Sequence, residues 1–229
     1  MEKKFPIRIN KYLAGLKHST RRGADELMKL TQLEQSGFVL ETEAGFKLAI
    51  DIGNYTPVDK LDGVSVDAML ISHIHGDHFS LEQIKKLSPK KLYLNRECIE
   101  ALGEESLSSE IVEVKVGDNV DIGGIRVSIF DVDHGPNVKL RPRENFGFLF
   151  EVDNQKIYFA GDMFYPSGMD VSGLEVDMAL IPVGTFYTFG PQEALNFAKQ
   201  FQKISQVMPM HYEKIPETRE EFERLVINI

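Results

Sequence analysis

The chain has 229 residues, of which 42% are hydrophobic, so it is long and apolar enough to bury a globular core. Its formal net charge of −9 argues against a general nucleic-acid-binding role. The single cysteine, Cys98, excludes an internal disulfide and favours a reducing compartment. Because the sequence also has neither an apolar leader nor a run long enough to cross a membrane, we expect a cytoplasmic protein.

Residues 1–22 form a basic segment in which apolar side chains interleave with lysine and arginine. One interpretation is an arm that contacts an anionic partner or a membrane surface. The other is a strand or helix that packs its apolar residues on the domain. We favour the second, because long basic side chains commonly cover apolar surface while their charges stay in water.

Hydrophobic periodicity predicts ten strands with five helices among them. In chain order the predicted elements are helix 24–33, a hairpin of strands 38–42 and 46–50, strand 68–71, helix 81–87, strand 92–94, helix 97–102, strands 111–116 and 125–130, a hairpin of strands 146–152 and 156–160, strand 178–181, helix 192–201, strand 206–208 and helix 219–226. No repeat, low-complexity tract or linker divides the chain, so we predict one domain over residues 1–229. Periodicity alone predicts a mixed α and β protein.

Five of the six histidines belong to one pattern of metal-ligand residues. Residues 73–78 read His-Ile-His-Gly-Asp-His, which places His73, His75, Asp77 and His78 within six positions. Crowding three imidazoles and a carboxylate costs desolvation and repulsion unless a cation lies among them. His134, Asp162 and His211 each come at or just after a strand-like run, where a sheet can fix loop ligands. The pattern therefore predicts a metal site.

This set of residues resembles the metallo-β-lactamase superfamily of hydrolases, from about Gly37 to Tyr212. The resemblance rests on Asp51-Ile52-Gly53, the 73–78 cluster, His134, Gly161-Asp162 and Met210-His211. Pro182-Val183-Gly184 and residues 207–211 further resemble the ascorbate-6-phosphate lactonase-like branch. The superfamily implies an α+β fold: a four-layer αββα sandwich of two mixed β-sheets flanked by helices.

The resemblance also implies a role for each ligand at a dinuclear centre. His73, His75 and His134 would hold the first of two divalent metal ions, Asp77, His78 and His211 the second, and Asp162 would bridge them. Asp77 and Asp162 are the candidate catalytic residues, and Asp51 would support the site by hydrogen bonding. With no thiolate in the set, we favour zinc and leave manganese and iron(II) open.

Such a centre implies a metal-dependent hydrolase, in which a hydroxide held between two metals attacks a carbonyl or phosphorus. Lys139, Arg141 and Arg143 follow His134 and predict a clamp for an anionic group, although a solvated loop is the alternative. Tyr187 is a candidate substrate-binding residue, and the side chains that could wall a pocket with it are Tyr165, Phe186 and Tyr212. We therefore expect a small, anionic ester, lactone or phosphodiester as the substrate.

Other classes of protein fit the sequence less well. A β-lactamase would carry cysteine where Asp162 stands, and a flavodiiron protein would carry glutamate where His75 stands. A metal-stabilised binding or sensor protein of the same fold, without turnover, is the alternative function. The sequence leaves the oligomeric state open, a homo-oligomer included.

Overall fold

The computed structural model describes residues 18–19, 28–164 and 170–227, and the strands form two mixed sheets. The first sheet has seven strands in the order β1 (His18–Ser19), β2 (Lys29–Gln32), β3 (Phe38–Glu41), β4 (Lys47–Ile50), β5 (Ala68–Leu70), β6 (Lys91–Leu94) and β7 (Glu110–Glu113). The second has six strands in the order β13 (Lys203–Met210), β12 (Glu175–Pro182), β11 (Gln155–Phe159), β10 (Phe146–Val152), β9 (Ile125–Asp131) and β8 (Asn119–Ile122).

The strand directions bring several loops to one edge of the sandwich. Strands β1 to β4 are antiparallel, and β4 to β7 are parallel. In the second sheet β9 and β11 are both antiparallel to β10, so they run in the same direction, and β12 and β13 are parallel to β11. The loops that follow β9, β11, β12 and β13 therefore all lie at the end of the sheet where these strands have their C-termini.

The two sheets bury one face against each other and the other face under helices. Successive side chains of a strand point to opposite faces. In β3, Phe38 points to the second sheet, where its ring centroid lies 6.2 Å from that of Phe159. Its neighbour Val39 belongs instead to a separate cluster on the outer face. Helices α1 (Leu81–Leu87) and α2 (Arg96–Leu102) cover that face, and Cys98 is fully buried there.

The second sheet is covered in the same way by α3 (Pro191–Ala198) and α4 (Glu217–Ile227). Tyr158 of β11 packs outward, with its ring centroid 5.8 Å from that of Phe197 and 5.2 Å from that of Phe201. From α4, Phe222 joins the same cluster. The layers are therefore helix, sheet, sheet and helix, which confirms the predicted α+β sandwich.

The observed elements differ from the predicted ones mainly at their ends. Both predicted hairpins are present as β3–β4 and β10–β11. Strands β12 and β13 are each eight residues long, longer than the runs 178–181 and 206–208 that were predicted. Strand β8 was not predicted, because glycine and polar residues beside it indicate a turn. A short 3₁₀ helix, Val58–Leu61, was also not predicted.

The predicted helix over residues 24–33 is wrong wherever the structure describes it. Lys29–Gln32 is the strand β2, which pairs antiparallel with β3 and places Leu30 opposite Leu40. The spacing of apolar residues suits a helix, but pairing with an adjacent buried strand overrides this local preference. Residues 24–27 and nearly all of the basic segment 1–22 lie outside the described residues. Within the described part of the chain, no helix combines the length and apolar character needed to cross a membrane.

Candidate metal centre

The predicted ligands converge because their strands end at one edge of the sandwich. His73 follows β5 and begins the loop that carries His75, Asp77 and His78. His134 follows β9, Asp162 follows β11 and His211 follows β13. The structure thus brings all seven predicted ligands into two adjoining groups, His73, His75 and His134, and Asp77, His78, Asp162 and His211.

The first group points three imidazole nitrogens at one another. His75 Nδ1 lies 3.0 Å from His73 Nε2 and 3.1 Å from His134 Nε2. The opposite nitrogen of the ring, His75 Nε2, lies 2.7 Å from the carbonyl oxygen of Leu140, to which it can only donate. His75 Nδ1 therefore carries a lone pair towards the group, as expected of a metal ligand.

The second group is organised around the carboxylate of Asp162. Asp162 Oδ1 lies 3.2 Å from His78 Nε2, and Oδ2 lies 3.0 Å from His211 Nε2. Oδ2 also lies 3.4 Å from His134 Nε2 of the first group. Asp77 Oδ2 approaches His211 Nε2 at 3.4 Å. Asp162 therefore stands between the two groups, in the position that the resemblance implies for a bridging ligand.

Asp51 supports the centre through hydrogen bonds to Ser72 and His78. Its φ of 47° is in the left-handed region, and its side chain is fully buried. Oδ1 accepts from the backbone N–H of Ser72 at 2.7 Å, and Oδ2 accepts from the Ser72 hydroxyl at 2.6 Å and from His78 Nδ1 at 2.8 Å. Ser72 Oγ in turn lies 3.0 Å from His73 Nδ1 and accepts its proton. These contacts leave Nε2 of both histidines free to face the centre.

Gln35 is a buried residue of the site that the sequence analysis missed. Its side-chain Nε2 lies 3.1 Å from Asp77 Oδ2 and 3.0 Å from His211 Nε2. Its backbone carbonyl accepts from the His211 N–H at 3.1 Å, and its φ is 59°. Glutamine is an uncommon ligand type, and Gln35 and His211 are 176 positions apart, so no local pattern could identify this contact.

Two glycines allow the backbone to approach the ligand loops closely. A Cβ atom on Gly53 would lie 2.0 Å from the carbonyl carbon of Asp77, and one on Gly184 would lie 2.0 Å from the carbonyl oxygen of His211. Real Cβ atoms do not make such contacts, so any side chain at either position would displace a ligand loop. Both glycines lie in segments that carried the sequence resemblance.

The electrostatics of the two groups differ. Burial is the largest influence on the pKa values of His73 and His75, and it lowers both. Burial also acts to lower the pKa of His211, but Asp162 and Asp77 outweigh it and raise this pKa to about 10. For Asp162, burial favours a higher pKa, but His211 and His78 hold it well below its usual value. Burial therefore favours the neutral form of His73 and His75 in the first group, whereas the second group pairs imidazoles with carboxylates.

These residues fit a pair of divalent metal ions. The candidate ligand atoms within each group all lie within 4.8 Å of one another. His78 Nε2 and Asp162 Oδ1 are buried and face the centre, and although they lie 3.2 Å apart neither makes a hydrogen bond of acceptable geometry. Buried polar atoms without partners are costly, and a cation would satisfy them. Imidazole and carboxylate donors suit zinc, manganese and iron(II) alike.

A cavity of about 240 Å³ opens onto both groups. Five residues line it besides the ligands: Val138, Lys139, Leu140, Tyr187 and Lys214. Lys139 and Tyr187 were predicted substrate-binding residues, whereas Lys214 was not.

Two predicted anion-binding residues lie apart from the metal cavity. Arg141 and Arg143 do not line this cavity. Arg141 pairs with Asp133 at 2.8 Å, and Arg143 pairs with Glu97 and Glu100 of α2. The sequence showed the cations of this loop but not the carboxylates that neutralise them.

The aromatic residues named as possible pocket walls are also separated. Tyr212 lies outside the cavity, where its hydroxyl accepts from Arg219 at 3.3 Å. Phe186 is exposed beside Tyr187, and their ring centroids are 4.7 Å apart. Tyr165 lies outside the described residues. Of the three aromatics that the structure describes, Tyr187 is therefore the one that lines the metal cavity.

Comparisons with known proteins agree with this geometry. The model of a beta-lactamase superfamily domain matches residues 29–211. A UPF0173 metal-dependent hydrolase of Pyrococcus abyssi is 30% identical over 211 residues, covering 87% of this chain and 92% of the relative. Its counterpart in Thermococcus onnurineus is 30% identical over 182 residues, covering 76% and 80%.

A solved structure shows the same fold. A metallo hydrolase from the archaeon Ignicoccus hospitalis superposes with a TM-score of 0.68 at 23% identity, covering 86% of this chain and 91% of that one. The family-model match, residues 29–211, spans the strands and loops that carry both ligand groups. The chain therefore belongs to the metallo-β-lactamase superfamily and, within it, to the UPF0173 metal-dependent hydrolases.

Proposed function

We propose that this hydrolase uses two divalent metal ions to cleave a small, anionic ester, lactone or phosphodiester. The observation that carries the proposal is the convergence of seven ligand side chains into two groups with Asp162 between them. A lactone is the member of this class suggested by the sequence resemblance to ascorbate-6-phosphate lactonases. We favour zinc as the metal and keep manganese and iron(II) as alternatives.

The two ions would supply a Lewis acid for the scissile group and an activated water. The protein orients the ligands before any substrate binds. Leu140 fixes the tautomer of His75, and Asp51 fixes that of His78. The carboxylates of Asp77 and Asp162 offset part of the charge of two dications, and each accepts contacts from more than one side chain. Pre-arranged ligands of this kind lower the reorganisation that the reaction requires.

Two lysines support an anionic substrate. Lys139 and Lys214 line the cavity, and no ion pair engages either ammonium group among the described residues. The ammonium of Lys214 lies over the rings of Tyr55 and Tyr187, 5.0 Å and 5.9 Å from their centroids. The other cations of the same loop, Arg141 and Arg143, are already neutralised by carboxylates. The unpaired charge at the cavity mouth is therefore positive, although the whole chain is acidic.

The test is metal analysis followed by turnover. Protein loaded separately with zinc, manganese or iron(II) should bind two equivalents and hydrolyse at least one member of a panel of anionic lactones, phosphodiesters and carboxylic esters. Asp162→Asn should lower kcat/KM by at least about 100-fold. A carboxylate has two oxygens that can bind metal in both ligand groups, whereas an amide has only one. Asp177→Asn is the matched control, since Asp177 accepts only a surface backbone N–H from Lys156.

Three outcomes would contradict the proposal. Binding of one equivalent would refute the dinuclear centre, and turnover that resists chelators would refute the role of the metal. Two bound metals with no hydrolysis across the panel would favour a metal-stabilised binding or sensor protein instead.

A further inference from the structure

Exposed apolar side chains gather around the mouth of the metal cavity. Among the described residues, six large hydrophobic side chains are exposed, and Leu140, Phe186 and Tyr187 are three of them. Leu140 and Tyr187 line the cavity, and Phe186 is next to Tyr187 in the chain. Leu140 is 81% exposed and Phe186 60% exposed. Scattered exposed hydrophobics need no explanation, but a cluster beside a candidate active site indicates a binding surface.

The backbone that presents Phe186 is strained. Thr185 and Phe186 have φ values of 56° and 57°, so two consecutive residues other than glycine adopt the left-handed conformation. This region is unfavourable for a β-branched residue such as threonine. The turn is held by hydrogen bonds from Thr185 N to the Phe189 carbonyl at 2.9 Å and from Asn137 Nδ2 to the Phe186 carbonyl at 2.6 Å. This turn places the rings of Phe186 and Tyr187 on the surface beside the metal centre.

A second cavity lies on the other side of this turn. It has a volume of about 420 Å³, and Phe186 lines it while the next residue, Tyr187, lines the metal cavity. Three further phenylalanines, Phe164, Phe189 and Phe197, form its walls. We name it the phenylalanine cavity. Concave, mostly apolar sites of this size are typical of small-molecule binding.

Charge and apolar surface are thus arranged side by side. Lys139 and Lys214 are on the metal cavity, and the phenylalanine cavity adjoins it across the turn of residues 185–187. We propose that the substrate is an amphiphilic anion, with its anionic group beside Lys139 and Lys214 and its apolar group in the phenylalanine cavity. This inference deepens the proposed function and rests on it. A concave, half-open cavity of about 420 Å³ fits one apolar group of a small molecule better than it fits a membrane surface or a protein partner.

The test uses ligands that cannot be hydrolysed, so that binding is measured apart from turnover. Alkylphosphonates from methyl to octyl share one anionic group and differ only in chain length. Their affinity for the zinc-loaded protein is measured by isothermal titration calorimetry. Each methylene that is buried should tighten Kd, by up to about fourfold. A Kd that is independent of chain length would overturn the inference.

Two variants test where the alkyl chain of the ligand binds. Phe186→Asn removes a ring that lines the phenylalanine cavity, and asparagine tolerates the left-handed backbone at this position. Asn196→Trp fills the same cavity from an exposed position on α3. Both should reduce the chain-length dependence while leaving the Kd of methylphosphonate within about twofold. The matched control is Val116→Asn, at a 49% exposed hydrophobic residue that lines neither cavity. Full chain-length dependence in both variants would refute the assigned cavity.

The same experiment separates this inference from the proposed function. If short anionic esters are hydrolysed but chain length affects neither Kd nor KM, the amphiphilic substrate is refuted and the hydrolase stands. If no ester in the panel is hydrolysed but the alkylphosphonates show the expected series, the phenylalanine cavity stands as a binding site and the catalytic proposal fails.

Discussion

Replacing Asp51 with asparagine should weaken metal binding without removing any ligand. In the native protein, Asp51 Oδ2 accepts a hydrogen bond from the His78 Nδ1–H at 2.8 Å, and in this tautomer of the neutral imidazole Nε2 carries the lone pair. In Asp51→Asn the amide oxygen can still accept from the Ser72 N–H, but the amide nitrogen then takes the place of Oδ2, and a nitrogen that carries two N–H donors cannot accept from His78 Nδ1. His78 would then favour the opposite tautomer, with its proton on Nε2, where it faces Asp162 Oδ1 at 3.2 Å. The proton would compete directly with the metal.

The size of the effect follows from the hydrogen bond that is lost. Asp51 accepts three hydrogen bonds, and Asp51→Asn can retain the one from the Ser72 backbone N–H. A buried hydrogen bond to a charged group contributes about 1.5–3 kcal/mol. Losing the His78 bond should therefore raise Kd for one of the two metal equivalents roughly 10- to 150-fold. Changes of about 10- to 100-fold are usual when a residue supporting a metal ligand is removed.

The assay is a zinc titration in competition with a chromophoric chelator, which resolves the two equivalents by affinity. Asp67→Asn is the control, because Asp67 is a partly exposed carboxylate that accepts from Lys47 N and Lys90 Nζ. It precedes β5, whereas the ligand loop follows that strand, and it belongs to neither ligand group. This variant should leave both equivalents within about twofold. If Asp51→Asn also binds two equivalents with native affinity, the proposed control of the His78 tautomer is refuted.

Three further predictions concern the same site. Gly53→Ala should yield a folded protein with fewer than two bound metals by elemental analysis, because the new Cβ would overlap the Asp77 backbone; native metal content would contradict this. Gln35→Met keeps the side-chain length but removes the donor to Asp77, so Kd for one metal equivalent should rise by about tenfold in the chelator titration; an unchanged Kd would show that the contact is incidental. Lys214→Ala should raise KM for an anionic substrate severalfold with little change in kcat, whereas Arg143→Ala should leave KM unchanged; equal effects would refute the assignment.

The sequence could predict which candidate ligands come together because much of their signal is local. Histidine and aspartate are the residue types that bind metals, and those of residues 73–78 are adjacent in the chain. His134, Asp162 and His211 could be predicted as ligands because each comes at or just after an apolar, strand-like run. In the structure these runs are β9, β11 and β13, which point in the same direction within one sheet. The two mixed sheets followed from the resemblance, whereas periodicity alone did not distinguish them from other mixed folds.

The errors arose where distant residues decide the outcome. Residues 29–32 have helical spacing, but their backbone pairs with β3. Gln35 belongs to the site only because β13 delivers His211 beside it. Arg143 was predicted to bind an anionic substrate group, but in the structure it pairs with two glutamates of α2. Pairing, burial and neutralisation of this kind depend on tertiary contacts, which a single sequence does not display.

Each ligand group draws on both sheets. His73 and His75 come from the first sheet and His134 from the second; Asp77 and His78 come from the first, and Asp162 and His211 from the second. An ion in either group would therefore cross-link the two halves of the sandwich at their shared seam. Neither half alone offers a complete donor set, so a partly assembled chain could not retain metal, and resistance to unfolding should rise with the logarithm of free metal concentration. Metal supply would then govern the lifetime of the folded chain as well as its chemistry.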